Sequence, residues 1–89
     1  MPYIPQADRV RLDECLQELG IHIRSRGIPD GALNYIFTKI ALLYLAKHGT
    51  SYSVLSDVIK TFECAKLEFY DRVVRPYEEK KRLQNGDCY

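Results

Sequence analysis

At 89 residues the chain holds one domain, and a monomer of this size buries only somewhat over ~60% of its unfolded surface, so self-association is a ready way to gain core. Hydrophobic residues make up 46% and charged residues 28%, with 5 Gly and 4 Pro, which excludes a disordered tail and favours a folded helical domain. The 13 basic and 12 acidic side chains leave a net charge of +1; that excludes the cationic excess needed to displace counterions from a nucleic-acid polymer, while a pocket for one small anion stays compatible.

Cys15, Cys64 and Cys88 are far apart and odd in number, matching neither a disulfide framework nor a zinc spacing, and a reducing cytosol suits them. The start Met1-Pro2-Tyr3-Ile4-Pro5 lacks the basic and apolar regions of a signal peptide. The longest apolar cluster, Ile40 to Ala46, is too short to span a bilayer. A soluble, intracellular protein with no membrane partner is expected.

In chain order, Pro2 and Pro5 favour an extended start. Leu12, Leu16, Leu19 and Ile23 then recur at steps of four, three and four, predicting an amphipathic helix from about Gln6 to Arg26, locally weakened at Gly20. Gly27-Ile28-Pro29-Asp30-Gly31 reads as a turn, with a second helix from Ala32 or Leu33 to about Lys47. Its apolar positions, Leu33, Ile36, Phe37, Ile40, Ala41, Leu43, Tyr44 and Leu45, cover more than half its circumference, so packing on several sides is expected. His48-Gly49-Thr50-Ser51 is a glycine stop followed by a hydroxyl cap, which starts the third helix near Ser51 or Ser53. Leu55, Val58, Ile59, Phe62, Ala65, Phe69 and Val73 carry that helix on. Pro76 predicts a kink or break at Arg75, with Tyr77 to Leu83 as a last helical segment and Asn85-Gly86-Asp87 as a turn. The fold class is therefore all-α: a small three- to four-helix domain, a helical hairpin plus a long C-terminal helix kinked at Pro76, expected to form a dimer or tetramer.

The polar residues on these helices suggest a site. Glu63, Lys66, Tyr70 and Tyr77 fall on or beside the face expected to be buried, where a small domain rarely places ionisable groups unless they pair or hold a ligand. Asn34, Tyr35, Thr38 and Lys39 form adjacent stripes on the first turns of helix two, offering amide, phenol, hydroxyl and ammonium to a base and a phosphate. The plainer alternative has Asn34 capping the helix, Lys39 in solvent, and Glu63 with Lys66 as a weak surface pair. Seven tyrosines against three phenylalanines and no tryptophan favour recognition, through stacking or a subunit contact. Glu78-Glu79-Lys80-Lys81-Arg82 reads as a solvated face, from which Lys80 or Lys81 could reach a phosphate on a neighbouring subunit.

No Gly-rich phosphate loop, zinc-deaminase pattern, nucleophile elbow or HExxH is present in the sequence. Glu63 and Glu68 are five apart and fall on different helix faces, and neither His22 nor His48 has a catalytic setting. The expectation is a non-enzyme without cofactor or metal.

Five blocks carry a resemblance: Met1-Pro2-Tyr3-Ile4; Leu33-Asn34-Tyr35-Ile36-Phe37-Thr38-Lys39; Glu63-Cys64-Ala65-Lys66-Leu67-Glu68-Phe69-Tyr70-Asp71-Arg72-Val73-Val74; Pro76-Tyr77-Glu78 with Lys80-Lys81; and Asn85-Gly86-Asp87-Cys88-Tyr89. In this order they resemble a widespread family of short proteins from tailed phages and bacteria, catalogued as a domain of unknown function. The chain departs at Asp71, where a second basic residue is usual, at Arg75, where a small residue is common, and at Cys88, where an aliphatic is usual. Size, phage distribution and polar residues are in turn similar to viral sponges of the anti-CBASS and anti-Thoeris kinds, which sequester a cyclic nucleotide immune signal without cleaving it. That resemblance implies action in the host cytoplasm on a cyclic dinucleotide or a cyclic ADP-ribose isomer. Lys39, Lys66, Arg72 and Lys80 would contact phosphates, Tyr35, Tyr70 and Tyr77 would stack on bases, Asn34, Thr38 and Glu63 would read base edges or ribose, and Tyr89 would join the site. The alternative is a helical protein–protein interaction module of phage or host, with no small ligand.

Overall fold

The computed structural model describes residues 2–25 and 27–89; Met1 and Arg26, the expected end of the first helix, lie outside the described residues. The elements are α1 (Gln6–Ser25), α2 (Ala32–His48), α3 (Tyr52–Phe69), a π-helical turn (Tyr70–Val74) and α4 (Arg75–Asn85). Among the described residues there is no strand, and no helix is long and apolar enough to cross a membrane.

Local chemistry sets the boundaries. The Pro5 carbonyl accepts the N–H groups of Asp8 and Arg9, which caps α1, while Asp8 and the pair His22 and Arg24 suit the two ends of its dipole. α2 begins after Gly31, whose φ of 84° places it in the left-handed region; no side chain caps this end, so Asn34 is not the cap that the plainer reading made it. Gly49 closes α2 with φ 85° and ψ 167°, a conformation essentially confined to glycine, and its N–H bonds back to the Leu45 carbonyl. Two residues on, the Ser51 hydroxyl accepts the Val54 N–H at 3.2 Å and caps α3.

Pro76 leaves a mark different from a break. The backbone stays in the right-handed helical region through Val74 and Arg75, and the Arg75 N–H reaches back five residues to the Tyr70 carbonyl. Proline has no N–H to give the Arg72 carbonyl, and its ring crowds that oxygen. Widening the preceding turn by one residue absorbs the conflict and lets the helix run on. The last segment is accordingly longer than the expected Tyr77 to Leu83. From Tyr52 to Asn85 the chain forms one irregular rod of about 50 Å at ~1.5 Å per residue, matching the longest molecular extent of 49 Å.

α2 folds back on α3, but α1 makes no close backbone approach to any other helix, and α4 neighbours only the π turn. The expectation that α2 packs on several sides is therefore met on one side only. No described residue is buried, and even Leu43, on α2, is 70% exposed. The radius of gyration is 16.8 Å, against about 12 Å for a compact chain of this length. Accessible surface is 8270 Å², against about 5,400 Å² for a compact monomer of this mass. The face expected to be buried thus lies open, Glu63, Lys66, Tyr70 and Tyr77 included, because one chain supplies no third layer to cover it.

The α2–α3 corner makes a quantitative test. At fixed protein concentration, Ser51→Ala should lower unfolding free energy by about 1 kcal/mol and Ser51→Asp should keep most of it. Gly49→Ala should cost about 1–3 kcal/mol, because a Cβ is strained at that φ and ψ whatever space surrounds it. Urea unfolding followed by circular dichroism checks both; a neutral Gly49→Ala would mean that the corner adopts another backbone path.

Candidate functional site

Two hollows stand out among the described residues. The first, about 200 Å³, runs between α2 and α3; Phe37, Ile40, Ala41 and Tyr44 line it from one side and Val58, Thr61 and Phe62 from the other. These positions repeat at three- and four-residue steps, so each helix presents one face. Its two hydroxyl-bearing residues are Tyr44 and Thr61, and the Thr61 hydroxyl is already committed to the Asp57 carbonyl at 2.8 Å. The groove is therefore apolar, and below the ~300–1,000 Å³ usual for a small-molecule pocket. None of the eleven sequence-predicted ligand residues lines it.

The second hollow, about 410 Å³, lies along α4 and the C-terminal tail. Tyr70, Arg75, Lys81, Arg82 and Tyr89 meet Glu78, Glu79 and Asp87 there, so its three cationic groups face three anionic ones. Arg82 organises the tail by pairing with Glu79 and lying 3.6 Å from Asp87, whose carboxylate accepts the Tyr89 N–H at 2.9 Å. The hydrogen bond from Arg82, and then its charge, holds the Glu79 carboxyl below its ordinary range. Of the predicted ligand residues, this hollow gathers Tyr70 and Tyr89.

The remaining predicted residues stand on open helix surface. Glu63 and Lys66 pair at 3.1 Å with side chains 58% and 66% exposed, the plainer of the two sequence readings. The Thr38 hydroxyl is spent on the Asn34 carbonyl at 2.9 Å, with the Asn34 side-chain oxygen 3.4 Å away. At ~100° per residue, Tyr35 and Lys39 lie across α2 from the apolar groove, about 150–170° round, and Glu63 and Lys66 about 90–150° round α3 from it. Three tyrosines carry a cation over the ring: Lys39 over Tyr35 at 5.5 Å, Arg75 over Tyr70 at 5.5 Å, and Lys81 over Tyr77 at 5.6 Å. Arg72 and Lys80 are exposed on the long helix. Among the described residues no group of His, Cys, Asp and Glu could hold a metal ion.

Around the π turn the structure joins residues that the sequence kept apart. The Tyr3 hydroxyl donates to Glu68 Oε1 across 65 positions, and Arg9 Nε donates to the Ile4 carbonyl at 2.8 Å, so the N-terminal segment is strapped to the end of α3. The opening block of the resemblance thus meets its third block. Arg75 donates to Asp71 Oδ1 through Nε at 3.2 Å and through a terminal nitrogen at 3.1 Å, so two of the departures are bonded to each other, one helical turn apart. Their four-residue spacing was a legible signal; the Tyr3 contact had none beyond the presence of the opening block.

A small all-α domain, with an open helical hairpin, a rod-like C-terminal helix and a polar junction at its π turn, is the class these features define. Residues 1–88 match the family described as Domain of unknown function (DUF6899), and the chain belongs to that family. No curated protein and no solved structure matches the chain.

The strap generates a titration test. Hydrogen bonding to Glu68, then desolvation and the Glu68 charge, push the Tyr3 phenol above its usual value, with Arg72 pulling the other way. The strap's contribution is complete below the unfolded phenol value of about 10 and is lost as pH rises through the higher folded value. In a spectrophotometric titration, Tyr3→Phe should delete a tyrosine that ionises above the usual value. Deletion of one that ionises at the ordinary value would show that the strap does not form in solution.

Proposed function

We propose that this DUF6899 chain is a non-enzymatic helical interaction module, a protein of phage or of its bacterial host that works by binding another polypeptide through its open helical faces. The surface excess of about 2,900 Å² over a compact monomer carries this reading. Large apolar side chains within that surface, such as Leu43 and Ile59, are costly to leave in water, and they lie on organised helices rather than in a flexible segment. The balanced charge of the polar hollow supports the same reading, because an anion-sequestering pocket would gain from net positive charge.

The sponge reading stands second, favoured by the three tyrosine–cation pairs: each sets a stacking ring beside a phosphate-binding group, the combination a cyclic dinucleotide or cyclic ADP-ribose isomer would use. The polar hollow holds one of those pairs, Tyr70 with Arg75, so a site that uses all three would be completed by a neighbouring subunit, in the cytoplasm of an infected host.

Isothermal titration with a panel of cyclic dinucleotides and cyclic ADP-ribose isomers separates the two. The interaction module predicts no saturable heat with any member. Submicromolar binding, abolished by Lys39→Ala or Lys66→Ala at unchanged helicity and with intact ligand recovered on heating, would replace it with the sponge. Recovery of hydrolysed ligand would make the protein an enzyme.

A further inference from the structure

We infer that the apolar α2–α3 groove is filled by α1 of a second copy of this chain, so that the functional unit is an obligate homo-oligomer. The inference rests on the interaction reading and names its partner. Phe37, Ile40, Tyr44, Val58 and Phe62 offer a groove without a charged group, in which Phe37 and Phe62 are still 49% and 42% exposed.

The same chain carries the matching part unused. Leu12, Leu16, Leu19 and Ile23 fall within about 60° of one another round α1 and form a single apolar stripe. That helix approaches no other in its own chain. A groove and a stripe that are both vacant, at fixed stoichiometry in one polypeptide, are self-complementary: two copies can each lend α1 to the other's hairpin. A foreign partner would fill the groove and leave the stripe bare.

Area agrees. A standard interface takes about 800 Å² from each partner, and obligate assemblies bury about 2,000–5,000 Å² in total. An excess of about 2,900 Å² per chain, or about 5,800 Å² for two, reaches past the upper end of that range, and it requires contact on more than one side, as mutual exchange of α1 supplies. A net charge of +1 adds little repulsion between copies. Tyr35 and Lys39, on the opposite side of α2, stay outside the groove contact.

Native mass spectrometry and light scattering of the full chain over an about hundredfold dilution series should give a multiple of 10.4 kDa, with a thermal midpoint that rises with protein concentration. Leu16→Lys and Phe62→Glu should each lower the mass to that of one chain, with or without loss of helicity. Mixing the two should restore an oligomer containing both, because each variant retains the half that the other lacks, and this outcome is readable even if each variant alone is unfolded. Lys60→Glu, on exposed α3 surface, should leave the mass unchanged. A wild-type chain that is monomeric and fully helical across the series overturns the inference and removes the support for the interaction reading. An oligomer that both groove and stripe variants leave intact, or singles that fail to complement on mixing, overturns the docking of α1 alone and leaves the interaction reading standing.

Discussion

A rod of 34 helical residues lies beside a helix of 17, and the mismatch governs the molecule. At ~1.5 Å per residue α2 covers about 25 Å of a rod about twice as long, so α4 has no helix to lie on and α3 has one neighbour rather than two. Had Pro76 ended the helix, the chain could have turned back and closed a four-helix core. The π turn at Tyr70–Val74 accommodates the proline without ending the helix, and in doing so commits the last segment to an extended path. Exposure of the apolar faces follows from that geometry and not from any shortage of apolar residues.

Helix positions were legible because their causes are local. Gly49 and Ser51 stop one helix and cap the next within three residues, and of the apolar stripe on α3 Val58 and Phe62 face α2 across the groove. What misled was the assumption that such faces are covered inside one chain. Glu63 and Lys66 need burial and a ligand only if the stripe beside them is core; in the structure they are an ordinary i,i+3 surface pair. The strap was illegible for another reason. A contact across 65 positions between a tyrosine and a glutamate leaves no periodic trace in the sequence.

Asp71 and Arg75 act as one unit. Arg75 pairs with Asp71 one helical turn back and lies over the Tyr70 ring. The two charges cancel, so Asp71 and Arg75 together add no net charge to that turn. The pairing sets a cation over the Tyr70 ring within the π turn, where the Arg75 N–H also bonds back to the Tyr70 carbonyl.

Binding to protein and binding to a nucleotide need not compete for the same surface. The apolar groove and the tyrosine–cation pairs lie on different sides of the helices, with Tyr35 and Lys39 roughly opposite the groove on α2. Coverage of the groove would stiffen α2 against α3 and fix the spacing of the rings without hiding them, which lowers the ordering cost that any ligand on the outer face must meet. A stack of rings and cations on a lone, open hairpin lacks a second wall. Symmetry-related copies would supply it, so assembly comes first under either reading, and the occupant of the outer face is a separate question from the occupant of the groove.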